Sequence, residues 1–185
     1  MPNRAFIGIG TNLGDRLANF REAIDRIGKL PDTRVLRQSS IYETEPVGQE
    51  LKGNFINGAI EVETEIGPDA LMRKLLAIER SMGRKPVRGR KSAPRSKYRP
   101  RIIDLDLLLF NKEVMDTRNL KLPHPNLHER RFVLAPLSEL APALIHPKLN
   151  VSISELLASN KAPHRVTLMR ADLLRAPQPR RAASR

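Results

Sequence analysis

The sequence predicts an α+β fold in which an antiparallel sheet carries helices packed on one face, with short additions toward the C-terminus. Three observations carry that expectation. Segments rich in β-branched and aromatic residues alternate with segments of helical periodicity, in the order strand, helix, strand, strand, helix, strand. Glycine, proline and asparagine fall where the periodicity changes. A length of 185 residues fits one domain with a core of ordinary size.

Ala5 to Ile9 reads as a short strand and Gly10-Thr11-Asn12 as its turn into a helix. Leu13, Leu17, Phe20, Ile24 and Ile27 then recur at helical spacing, with Thr11 or Asn12 placed to cap the start and Gly28 to end it. Val35 to Glu43 and Phe55 to Glu65 are β-rich and are separated by a loop over 46–53. Pro68 opens a second helix with the stripe Leu71, Leu75, Ile78 and Met82, and Gly83 stops it. A basic loop leads to the last strand of the series, giving the βαββαβ order of a ferredoxin-like sandwich. Beyond it, Val114 to Leu122 reads as a small hairpin, Arg131 to Leu140 as a short strand and helix turn, and Ser154 to Ser159 as a final helical turn or two. A single domain is expected over 1–160. The basic, proline- and alanine-rich remainder, 161–185, is expected to be a partly disordered tail.

Lys and Arg outnumber Asp and Glu by 33 to 20, a net charge of +13 that favours an anionic partner such as nucleotide phosphates or nucleic acid. The run RKPVRGRKSAPRSKYRPR over 84–101 contains no acid. With no cysteine, disulfide frameworks and thiolate metal sites are excluded. Apolar runs fall far short of the roughly 20 residues that span a bilayer, and no signal-peptide stretch opens the chain. A cytoplasmic protein is therefore expected, and it is expected to be a monomer.

The most informative stretch is RIIDLDLLLF over 101–110, where two carboxylates sit in a run otherwise apolar enough to be buried. In a strand, Asp104 and Asp106 point to one side with Cα atoms about 6.5 Å apart, while Leu105, Leu107 and Leu109 face the other. Two buried carboxylates need compensating positive charge. Mg²⁺ suits them, since it is usually held by one or two carboxylates together with substrate phosphates. The alternative is that both pair with nearby arginines such as Arg99 and Arg101.

Other motifs are weaker. Gly8-x-Gly10-x-x-x-Gly14 is one residue longer than a dinucleotide fingerprint, and no P-loop exists, so any nucleotide must be clamped by side chains. His124 and His128 are four apart but lack the Glu of a zinc motif, which favours a phosphate-contacting or capping role. Phe55 and Asn57 share a strand face that would suit a planar heterocycle, or are simply a core ring beside a solvated amide. Phe132 is either a stacking surface or the first residue of the next strand. Glu79 is either a solvated helix position or borders a cleft.

Taken together, FIGIGTNLGDR (6–16), SSIYETEPVG (39–48), NFIN (54–57), PRIIDLD (100–106) and LPHPNLHERRF (122–132) resemble the 6-hydroxymethyl-7,8-dihydropterin pyrophosphokinases of folate biosynthesis. The resemblance runs from about Arg4 to Ser159, in the family's order. It implies a ferredoxin-like fold and transfer of the diphosphate of ATP to the pterin hydroxymethyl group, releasing AMP. By position, it implies that Asp104 and Asp106 hold two Mg²⁺ ions. Phe55 and Phe132 would sandwich the pterin, and Thr44, Asn57 and the backbone near Val47 would bond its amide-like edge. Arg84, Arg101, His124 and Arg130 would contact the triphosphate, Glu79 and Leu107 would lie near the adenosine, and Tyr98 would sit in a closing loop. Leu76, Pro125 and the Tyr98-Arg99 pair depart from the family's pattern, which leaves the acidic pair untouched. A ferredoxin-like RNA-binding module is the competing class. Its base-stacking aromatics are scarce here, with five Phe, two Tyr and no Trp.

Overall fold

The computed structural model describes residues 2–45, 53–83, 101–163 and 165–169. Its first six elements follow the expected order, with the second strand divided. Strand β1 (Asn3–Thr11) leads to helix α1 (Arg16–Gly28), then β2 (Thr33–Gln38), β3 (Tyr42–Thr44), β4 (Phe55–Thr64), α2 (Pro68–Ser81) and β5 (Asp104–Phe110). The sheet runs β5, β1, β4, β3, with β2 also on β4, and every pairing among them is antiparallel. The ten-residue β4 is long enough to pair with β3 along its first part and β2 along its last, so the segment expected as one strand breaks at residues 39–41.

Local chemistry explains most boundaries. The cap of α1 is Asp15, whose carboxylate accepts the Ala18 N–H at 3.0 Å, and not Thr11 or Asn12. Thr11 instead ends β1 and Asn12 follows directly after it, and Gly14 makes the turn at φ 63. Helix α2 opens with Pro68 after Gly67 and ends where Gly83 takes φ 101.

The apolar stripes of α1 and α2 cover one sheet face, where Ala5, Ile7 and Ile9 meet Ile56, Ile60 and Val62 around Phe20, Leu71 and Leu75. The Phe20 ring rests on a bare Cα: a Cβ at Gly58 would lie 2.6 Å from its Cζ. Phe20 is fully buried and cannot swing away. Gly58→Ala should therefore destabilise the fold by about 1 to 3 kcal/mol, as overpacking does. That lowers the melting temperature by roughly 2 to 10 °C for a chain of this size. An unchanged calorimetric melting temperature would contradict this packing.

The second face is covered too, which corrects the expectation of helices on one face alone. After a hairpin of β6 (Met115–Asp116) and β7 (Lys121–Leu122) come α3 (Arg131–Leu140) and α4 (Ile153–Ser159). They pack with Phe6, Ala59, Leu108 and Leu109 into a second core. Residues 131–140 are helical throughout, where a strand start was expected, because Phe132, Val133, Leu137 and Leu140 keep helical spacing toward that face. Helix α4 starts with a capping box between Ser152 and Glu155. A register shift between Phe6 and Ile7 against β5 leaves Leu108 unpaired, which turns Leu109 to the second face and Phe110 to the first. Strict alternation placed Leu109 with Leu105 and Leu107. Finally, β8 (Val166–Leu168) pairs with β3, so an edge strand lies beyond residue 160, where the domain was expected to end. No described helix is long and apolar enough to cross a membrane.

Candidate active site

Helices α3 and α4 leave part of the second face open, and the register of the three central strands decides what lies there. Asp104 stands opposite Gly10 and Gly10 opposite Asn57, while Asp106 stands opposite Gly8 and Gly8 opposite Ala59. Both aspartates thus share one face, as alternation predicts. The glycines discounted as a dinucleotide fingerprint form the floor between them and β4. A Cβ at Gly10 would come within 3.1 Å of Asn57 Oδ1, so glycine lets the amide oxygen lie over the strand.

The resulting pocket is lined on one side by Thr44, Phe55, Asn57 and Phe132, and on the other by Arg101, Asp104, Asp106 and Arg130. Asn57 Nδ2 donates to the buried Thr44 Oγ1 at 2.8 Å, which fixes the flip of the amide and aims its oxygen over Gly10. Phe132 enters as the second residue of α3, with the Arg130 guanidinium 5.8 Å from its ring centroid. Phe132 lines the pocket from a helix and is not the first residue of a strand. Arg16, at the start of α1, donates to the Asn54 carbonyl at 2.7 Å and to Glu43 at 2.9 Å, and so steadies the chain just before Phe55.

The acidic side is a cluster of opposite charges. Arg101 Nη1 is hydrogen-bonded to Asp104 Oδ1, so Asp104 pairs with one of the expected arginines, and Asp106 has a looser ion pair with Arg130. Asp106 Oδ2 lies 3.6 Å from Arg130 Nη1 and 3.9 Å from His124 Nε2, beyond hydrogen-bond length. The Asp104 and Asp106 side chains keep 32% and 31% of their surface exposed, which leaves both reachable from the pocket. Burial by surrounding protein atoms, followed by repulsion from Asp104, pushes the Asp106 carboxyl above the ordinary aspartate range, against the pull of His124, Arg130 and Arg101. Burial also pulls the His124 imidazole below its usual range, opposed by Asp106. With Nδ1 accepting the Asn126 N–H at 3.3 Å, the neutral ring carries its proton on Nε2, facing Asp106.

This donor set fits a metal that arrives with a ligand. Among the described residues no three His, Cys, Asp or Glu side chains converge as a metal cage. Two carboxylates on one face, one of them held at an electrostatic cost, match the one or two that Mg²⁺ takes when phosphates complete its shell.

Other expected residues fall elsewhere. Leu107 is 2% exposed and packs in the first core, so it does not face the pocket. Glu79 is fully buried, and its Oε1 accepts the Leu105 N–H at 2.8 Å, which removes it from the surface where a nucleotide contact was expected. His128 stands against His146, ring centroids 6.1 Å apart, and is not brought to His124. Val47, Arg84 and Tyr98 lie outside the described residues.

Asn12 was read only as a helix cap. Its Oδ1 accepts the Arg101 N–H at 2.7 Å and its own N–H donates to the Arg101 carbonyl at 3.2 Å. Two bonds thus clamp the backbone of the arginine that pairs with Asp104. With the two residues 89 positions apart, no local pattern could reveal that contact.

Comparison with known proteins gives a consistent result. The profile of the 7,8-dihydro-6-hydroxymethylpterin-pyrophosphokinase (HPPK) family matches residues 6–142. A 2-amino-4-hydroxy-6-hydroxymethyldihydropteridine pyrophosphokinase from Bacillus subtilis (strain 168) is 42% identical over 141 residues, covering 76% of this chain and 79% of that protein. Its namesake from Aquifex aeolicus (strain VF5) is 35% identical over 155 residues, covering 84% and 91%. Among solved structures, wild-type HPPK-DHPS from Plasmodium falciparum with pteroate superposes with a TM-score of 0.63 at 15% identity, a likeness of fold. That match covers 85% of this chain and 44% of the other, so the chain spans under half of that structure. The match over 6–142, together with these identities, shows that the chain belongs to the 7,8-dihydro-6-hydroxymethylpterin-pyrophosphokinase family.

Proposed function

We propose that this protein transfers the diphosphate of ATP to the hydroxymethyl group of 6-hydroxymethyl-7,8-dihydropterin, releasing AMP, as a step of folate biosynthesis. The single observation that carries the reading is the placement of Asp104 and Asp106 on the wall of a pocket whose opposite wall is Phe55, Phe132 and the oriented Asn57 amide. A flat heterocycle would stack on Phe55 and Phe132, which both line the pocket. Its amide-like edge would meet Asn57, held in place by Thr44, and stacking on the rings would add about 1 kcal/mol to area burial. That orientation would carry the hydroxymethyl group toward the acidic wall.

Arg101, Arg130 and His124 stand around the same carboxylates and would bind the triphosphate. The arginines offer planar forks that stay charged at any working pH. Asp104 and Asp106 would hold Mg²⁺, two ions in this reading, whose chemistry there is to neutralise charge on the attacking and leaving oxygens. The protein's own contribution is then positioning and fixed electrostatics, which dominate phosphoryl-type transfer. The sheet order β5, β1, β4, β2/β3 supports a ferredoxin-like core. An RNA-binding face receives no support, because α3 and α4 cover part of it and the rest bears two acids.

The deciding experiment supplies Mg²⁺-ATP and hydroxymethyldihydropterin and separates the nucleotide products by chromatography. AMP is expected, in step with pterin diphosphate. ADP in place of AMP would exclude diphosphoryl transfer.

A further inference from the structure

Glu79 has no access to a ligand, yet its carboxylate meets the acidic strand between its two aspartates. Its side chain is fully buried near the end of α2, among Leu71, Leu75 and Ile78 on the same helix. Its Oε1 accepts the N–H of Leu105, the residue that separates Asp104 from Asp106, at 2.8 Å. Among the described residues β5 is the last strand of the sheet, with β1 on one side only, so the amides on its other edge have no strand partner there. The helix supplies an anionic acceptor at that point, a bond shorter and stronger than a neutral one. The end of α2 docks close by as well: a Cβ at Gly83 would lie 2.8 Å from Ile102 Cδ1, two residues before Asp104. A buried carboxylate is a costly way to fill a helix stripe that leucine would fill without cost.

We propose that Glu79 is a positioning residue: its bond to the Leu105 amide fixes the height and rotation of β5, and so sets the separation and aim of Asp104 and Asp106 toward the divalent cations they would hold. The inference rests on the assignment of those two residues to a metal, and it replaces a nucleotide contact by Glu79. A role through the backbone of the ligand strand resembles other supports behind metal ligands, whose loss typically weakens metal binding about 10- to 100-fold.

The test compares wild type, Glu79→Gln and Glu79→Leu. Mn²⁺ binding is measured by electron paramagnetic resonance with a non-hydrolysable ATP analogue, Leu105 amide exchange by NMR, and Mg²⁺ half-saturation in steady-state turnover. Glu79→Gln keeps an acceptor oxygen and should stay within about threefold of wild type in metal affinity. Glu79→Leu should weaken Mn²⁺ binding by about tenfold or more and speed Leu105 exchange, with KM for ATP unchanged at saturating Mg²⁺. A raised KM for ATP with unaltered metal affinity, in either variant, would overturn the proposal in favour of a nucleotide contact. A lowered melting temperature with unaltered metal affinity would overturn it in favour of a purely structural role. Should the leucine variant not fold, Glu79→Asp takes its place, since one methylene less withdraws the carboxylate from the amide. Failure of wild type to release AMP would count against the reaction assigned above, and the Mn²⁺ and exchange measurements would still decide the role of Glu79.

Discussion

Asp106→Asn should lower diphosphoryl transfer by at least about a hundredfold while leaving the ligand-free fold as stable as wild type or more so. Supports behind metal ligands already cost 10- to 100-fold, so loss of a ligand itself should cost more. The stability half follows from linkage. The Asp106 carboxyl titrates above its ordinary range because burial and Asp104 disfavour its charge. Between the unfolded and the raised folded value, the folded chain holds more protons than the unfolded one, so stability falls as pH rises through that window. The destabilisation is complete above the folded value, and asparagine removes it. Wild-type melting temperature should therefore decline through that acid window, and the decline should be shallower in Asp106→Asn. His124 acts with the opposite sign: stability rises as pH rises from its depressed folded value to the ordinary histidine value. Wild-type turnover in Asp106→Asn would refute the metal role.

Arg101→Ala should reduce kcat/KM for ATP by about 10- to 100-fold, the equivalent of one charge-assisted hydrogen bond at about 1.5 to 3 kcal/mol. Arg101→Lys should recover only part of that, because a point charge replaces a planar fork. The Arg101 guanidinium is bonded to Asp104, so its removal withdraws a cation that would compete with metal for that carboxylate. Divalent affinity measured without nucleotide should accordingly hold or tighten as ATP binding weakens. A parallel loss of both would mean instead that Arg101 maintains the site's shape, and the phosphate role would fall.

Why some of this was legible and some was not can be argued residue by residue. Asp104 and Asp106 were readable because strand alternation is local: two residues apart means one face, whatever the rest of the chain does. The stripes of α1 and α2 and the Gly83 stop were readable for the same reason. Phe132 was ambiguous because a ring after four charged or polar residues fits either a strand start or a helix start, and only the core beneath α3 selected the helix. Leu109 was misplaced because a bulge has no sequence signature as plain as a turn's, and one unpaired residue reverses the face of all that follow. Glu79 and Leu107 fit a nucleotide surface by resemblance, but packing of α2 on β5 closed that surface over both.

The sequence by itself determined the element order, the paired acids, the aromatic and amide on one strand face, and a charge that calls for anions, since each depends on backbone geometry or composition within a few residues. Tertiary structure decided the partners: Asn12 with Arg101, Glu79 with Leu105, Asn57 with Thr44, and Asp106 near both His124 and Arg130. Each of those contacts joins residues far apart along the chain or on different elements. Such pairs exist only once sheet register and helix docking have been settled by burial of the two cores, a global free-energy balance that no local pattern encodes.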